Sequence, residues 1–187
     1  VVTPAAGWLT ARFGQRRLML WSVTGFALTT LACASADSLA PLLAYRIGQG
    51  AFGAPLVPLS QAIVVATYPP EERARAQSFF GMAVVVGPAI GPVFGGYLAE
   101  LYNWRWVFLL IVPLCIVSLI GVWLFIKESA TTSKARLDWT GFLTLSLAVT
   151  CMQLVMDRGE RLDWFESGEI LILAAVMLWA FYTFVIH

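Results

Sequence analysis

The residues best placed to do chemistry in this chain are Arg46 and Gln49, which sit inside the apolar stretch LLAYRIGQGAFGAPLVP, residues 42–58. A charged side chain at the middle of a membrane helix costs about 2.5–3.5 kcal/mol even on the lenient insertion scale. An arginine kept there is expected to face the interior of a helix bundle. Gln49 stands three residues on, so the two side chains share one helix face. The same spacing also fits an arginine that snorkels to the outer interface, since Arg46 is close to the expected end of its span. Other chemistry finds little support. The single histidine is His187, and the acidic residues fall at span ends or in connections, so no convergent set for catalysis is apparent. Cys33, Cys115 and Cys151 lie in apolar runs, where a thiol behaves as a small hydrophobe, and no metal-ligand spacing or disulfide framework is present.

Composition explains why an arginine within an apolar run matters. Hydrophobic residues make up 59% of the 187 and charged residues 12%, which is the composition of a membrane protein. A net charge of +1 leaves no basic surface to hold phosphates, which argues against a nucleic-acid partner. Crossing roughly 30 Å of hydrocarbon takes about 20 residues, and uncharged runs of that order are expected to span. They cover residues 18–36, 47–70 (entered nearer Ala40), 76–99, 106–126 and 139–156, and a further run begins at Ile170. Residues 1–6 read as the tail of an earlier span, and the chain as a fragment of a longer one. The connections are expected at residues 7–17, 37–39, 71–75, 100–105, 127–138 and 157–169.

Assigning alternate connections to one face gathers Arg12, Arg16, Arg17, Arg73, Arg75, Lys127, Lys134 and Arg136. The other face receives Arg105, Arg158 and Arg161, with Arg46 the twelfth basic residue. Lys and Arg are retained in the cytoplasm, so the first set is predicted to be inside. Trp104, Trp106, Trp139 and Trp164 fall near the predicted interfaces, as an aromatic girdle should. Single cysteines replacing Gln15 and Glu160 in a cysteine-free full-length background are therefore expected to label from opposite sides. Labelling at position 15 by an impermeant reagent in intact cells would invert the topology.

Three motifs carry a family resemblance. GWLTARFGQRR, residues 7–17, supplies Gly7, Leu9, Arg12, Gly14, Arg16 and Arg17, with glycine where a turn needs positive φ and basic residues that can meet lipid phosphates and helix C-termini. It resembles the signature loop of the major facilitator superfamily, G-x-L-x-D-R-x-G-x-R-R, with Ala11 where the family usually carries Asp. Arg46-Ile47-Gly48-Gln49-Gly50 resembles the family's fourth-span R-x-x-Q-G motif, which implies a part in proton coupling for Arg46, Gln49 and Gly50. GMAVVVGPAIGPVFGG, residues 81–96, places Gly87, Gly91 and Gly95 four apart, beside Pro88, Pro92 and Gly96. Glycines at that spacing form a ridge on one helix face that permits close helix approach in lipid. The prolines remove hydrogen bonds to the carbonyls of Val84 and Pro88 and are expected to bend the helix. This stretch resembles the fifth-span antiporter motif.

Asn103-Trp104-Arg105-Trp106-Val107-Phe108 followed by Pro113 resembles the entry to the sixth span of the fourteen-span drug:proton antiporters, the EmrB/QacA-like type, with Ile111 at the usual Asn. Residues 137–142 and 157–167 resemble the extra helix pair that this type inserts between its halves. The resemblance implies an all-α integral membrane fold, a major facilitator helical bundle from the end of span two into span eight. Residues 1–126 would be part of the N-terminal six-helix half, 127–138 a cytoplasmic linker and 139–187 the inserted pair. It further implies a secondary transporter, a proton-coupled antiporter that exports drugs or other amphipathic small molecules by alternating access. A major facilitator uptake or metabolite transporter is the alternative, ahead of a membrane-embedded enzyme or a helical scaffold. The expected partners are the substrate, protons, the lipid bilayer and the C-terminal half of the same chain, with a periplasmic or outer-membrane adaptor left open. No cofactor or metal is expected, the proton gradient being the energy source, and the expected location is the bacterial inner membrane.

Overall fold

The structure is a computed structural model that describes residues 6–126 and 138–187. The described residues are helical apart from short connections. The helices are α1 (Ala6–Phe13), α2 (Gln15–Ala34), α3 (Leu39–Gly53), α4 (Leu56–Thr67), α5 (Pro70–Leu101), α6 (Trp104–Phe125), α7 (Trp139–Arg158) and α8 (Gly168–Ile186). Six stretches are long and apolar enough to cross a membrane: α2, α3 with α4, α5, α6, α7 and α8. Their exposed surface is rich in Leu, Ile, Val, Phe and Trp, and α5 buries no residue at all, as befits helices whose surroundings are lipid or further spans. The chain divides into two compact units, residues 10–132 and residues 133–187 with residues 1–9.

The expected connection at residues 7–17 is instead two helices joined at Gly14. Gly14 has φ 84°, a left-handed conformation open to glycine, and its N–H still bonds the Thr10 carbonyl at 3.0 Å. Residues 71–75 are likewise no loop: they form the first turns of α5. Pro70 fixes the opening φ, while Glu71 and Glu72 complement the positive end of the helix dipole. With 32 residues, α5 is about 48 Å long against roughly 30 Å of hydrocarbon, so its charged first turns have room outside the apolar layer. The helix runs on through Pro88 and Pro92. The second span is divided at Ala54-Pro55, because Pro55 and Pro58 lack the N–H groups that would continue the ladder. Both residues at the division keep helical dihedrals, so the chain continues in the same direction.

Two arginines tie α2 to α6 at opposite ends. Arg16 Nη2 donates to the carbonyl of Trp123 at 2.8 Å, satisfying an acceptor in the last turn of α6. Arg105 Nη2, at the start of α6, donates to the Ala36 carbonyl and to Asp37 Oδ1, both at 2.9 Å, just past the end of α2. The two helices are thus antiparallel, as alternating connections require. Between these ends Val23, Ala27 and Cys115 form a buried core, with Met19, Phe26, Leu56, Ile111 and Leu119 packed against it.

In the second unit Asp138 caps α7 by accepting from the Gly141 N–H at 2.9 Å, and that bond holds its carboxyl below the ordinary value. The connection from α7 to α8 is two short 3-10 turns around Asp163 and Trp164, both left-handed at φ 53° and 52°. An Arg158–Glu169 ion pair closes it. This exposed turn fits the solvated connection expected there. Residues 127–137 of the expected linker, which carry Lys127, Lys134 and Arg136, and residues 1–5 lie outside the described residues.

Candidate functional site

The site is built where α2, α3 and α6 meet. One turn of α3 presents Arg46 and Gln49 side by side, and Arg46 Nη1 donates to Gln49 Oε1 at 3.0 Å. Gln49 is buried, and its Nε2 donates to Thr30 Oγ1 on α2 at 2.7 Å. Thr30 has no exposed surface, and its hydroxyl donates in turn to the Phe26 carbonyl at 2.6 Å. From α6, the buried Phe108 ring lies under the guanidinium, 4.7 Å from its centroid to Arg46 Cζ. A cation over a ring face is attracted by the ring's quadrupole, by about 0.5–1 kcal/mol where the cation is exposed, as Arg46 is on this chain. Trp104 meets Phe108 edge to face at 5.9 Å and fixes the ring's tilt.

Arg46 is therefore met by an amide oxygen and an aromatic face, on the side of α3 that packs on α2 and α6. Among the described residues no carboxylate lies within ion-pair distance of it. Its outer flank is exposed on this chain. The geometry can hold a permanent positive charge in one orientation within the span. Gly50 follows in the next position and has open space where a side chain would stand.

The other residues singled out from the sequence lie elsewhere. Gly7, Leu9 and Arg12 are on α1, Gly14 is the α1–α2 junction, and Arg16 and Arg17 open α2. Arg16 stands fourteen positions before Thr30, about 21 Å along the helix, so the signature stretch and the Arg46 site are separate places. Gly87, Pro88, Gly91, Pro92, Gly95 and Gly96 are all on α5. Gly87, Gly91 and Gly95 line an apolar groove of about 380 Å³, walled on the α6 side by Val107, Leu110 and Ile111. Among the described residues the ridge meets no helix backbone: Gly87 and Gly91 have open space, and a Cβ at Gly95 would touch Val107 at 3.7 Å.

Close helix approach occurs instead at the α2–α3 seam, which the sequence reading did not single out. A Cβ on Gly25 would enter the Phe52 ring, one on Gly48 would press on Thr29 at 3.1 Å, and one on Gly53 would press on Phe26 at 3.1 Å. The signal was present as glycines within two neighbouring apolar runs, but their pairing was not. Thr30 was missed for a related reason: a threonine in an apolar helix usually satisfies itself on the carbonyl four residues back.

The family model described as Major Facilitator Superfamily matches residues 1–187. The chain is 38% identical over 174 residues to the multidrug export protein EmrB of Escherichia coli (strain K12), a match covering 92% of this chain and 34% of that protein. It is 40% identical over 175 residues to EmrB of Haemophilus influenzae, with the same coverage, 92% and 34%. With the fatty acid resistance protein FarB of Neisseria gonorrhoeae it shares 36% over 179 residues, covering 95% of this chain and 35% of that one. The chain thus spans about a third of the length of the curated relatives it matches. Its membrane-spanning helices and a family match that runs its whole length lead to one assignment: this multi-pass membrane chain belongs to the Major Facilitator Superfamily.

Proposed function

We propose that the full-length protein is a proton-coupled antiporter of the inner membrane that exports drugs or other amphipathic small molecules by alternating access. The observation that carries the coupling is the Arg46 guanidinium, held between spans on Gln49 and Phe108. This guanidinium acts by favouring the charged form of a carboxylate elsewhere in the first half, toward its exposed flank. Export is supported by relatives named for multidrug export and fatty acid resistance. Moving one charge across 100 mV supplies about 2.3 kcal/mol, close to a fifty-fold concentration gradient.

In this reading residues 1–126 belong to the N-terminal half and 139–187 to the inserted pair. The α5 ridge receives a helix of the other half, and the basic start of α2 belongs to the cytoplasmic latch. The protein is a transporter rather than an enzyme.

The test is growth of an efflux-deficient host carrying the full gene on a panel of cationic dyes, uncouplers and medium-chain fatty acids. Protection against several compounds is expected, and a protonophore at sub-lethal dose should remove it. No protection, or protection indifferent to the protonophore, overturns the reading.

A further inference from the structure

We infer that Thr30 is a positioning residue for export: it fixes the Gln49 amide so that the carbonyl oxygen, and not the amino group, faces Arg46. The inference rests on the coupling role proposed for Arg46. A guanidinium only donates, so Gln49 must offer it Oε1. The Gln49 Nε2 must then find an acceptor in a buried place, and the one it reaches is Thr30 Oγ1 at 2.7 Å.

A hydroxyl could equally donate and so hold the amide the wrong way round. In the structure the Thr30 hydroxyl donates instead to the Phe26 carbonyl at 2.6 Å, leaving its lone pairs toward Gln49. The row from Arg46 through Gln49 and Thr30 to the Phe26 carbonyl thus donates in one direction. Turning the amide over would set an N–H group against the guanidinium, which only donates, and lose that bond.

Thr30 is fully buried, and its hydroxyl bonds join it to Gln49 and the Phe26 carbonyl, so it acts on Arg46 through Gln49. Valine has nearly threonine's shape without the acceptor. Serine keeps the hydroxyl and the same bond to the carbonyl four residues back.

The test uses the full-length transporter in proteoliposomes with an imposed pH gradient, and as probe the compound that gave the greatest protection in the growth panel. Thr30→Val is expected to lose about tenfold in rate, the effect of breaking one buried hydrogen bond to a charged network, while Thr30→Ser stays within about twofold. In a cycle with Gln49→Leu the two changes should not add: the double variant transports no worse than Gln49→Leu alone. A packing role predicts additive losses and no rescue by serine, and either result overturns the inference. Where Thr30→Val does not accumulate, Thr30→Cys, whose sulfur is a weak acceptor, takes its place, and wild-type transport by that variant is equally contrary. Arg46→Ala run alongside separates the two levels. If it transports normally, the coupling reading fails and this inference with it. If it is inactive while the Thr30 variants transport normally, this inference alone fails.

Discussion

Arg46→Ala in the full-length protein is expected to lose pH-gradient-driven export by about a hundredfold, the scale for removing a charge-assisted bond and a cation–ring contact together, with membrane abundance near normal. The guanidinium spans two partners at once, Gln49 Oε1 along α3 and the Phe108 face from α6. An ammonium is a compact point charge without the planar fork, so Arg46→Lys can engage one partner or the other, and rescue should be partial, within about tenfold of wild type. Gln49→Ala keeps the charge and the ring, so its loss should be milder than that of Arg46→Ala. Initial rates in proteoliposomes decide the matter. An arginine that merely snorkels predicts full activity for Lys and little loss for Ala, and near-normal rates in both would remove Arg46 from the mechanism.

Gly25→Leu and Gly91→Leu are expected to fail in different ways, although both place the same side chain on a glycine within an apolar span. At Gly25 the added carbon enters the Phe52 ring, so the α2–α3 seam must open. Overpacking of this kind costs about 1–3 kcal/mol, and it separates Gln49 from Thr30 as well. Abundance and thermal stability in detergent should both drop, and Phe52→Ala should restore part of the stability. At Gly91 there is open space, so the helix should insert and the protein should be as stable as wild type. Its export should nevertheless fall, since the ridge is proposed to receive a helix of the other half during the transport cycle. Size-exclusion profiles after heating, read with transport rates, distinguish the two. Wild-type stability of Gly25→Leu would contradict the seam, and wild-type export by Gly91→Leu would make the ridge lipid-facing surface.

The Gly14 turn and the start of α5 show what local sequence could and could not fix. Glycine at a basic connection signals a backbone need, yet which glycine takes positive φ depends on where α1 ends, and that is Gly14. Residues 71–75 resemble a loop in the sequence because their charge interrupts an apolar run. Charge there marks the end of the membrane layer and not the end of the helix, since proline, two glutamates and a long helix are compatible with one another. The break at Ala54-Pro55 was carried by the prolines but is silent in hydropathy, which averages over them.

The chain's amino acids alone determined the spans, the membrane class and the family, because each depends on properties local in sequence. Lipid demands a run of apolar residues of a set length, and the three motifs are contiguous. The Arg46–Gln49 pair was legible for the same reason, being one turn of one helix. Only the tertiary structure decided that Thr30 completes the pair from α2, that Phe108 lies beneath it from α6, and that Arg16 reaches a carbonyl 107 residues away. These contacts depend on the rotation and axial register of each helix against its neighbours. In helices apolar around their whole circumference no amphipathic stripe records that rotation, so it is set by how glycines and rings fit together when the helices pack.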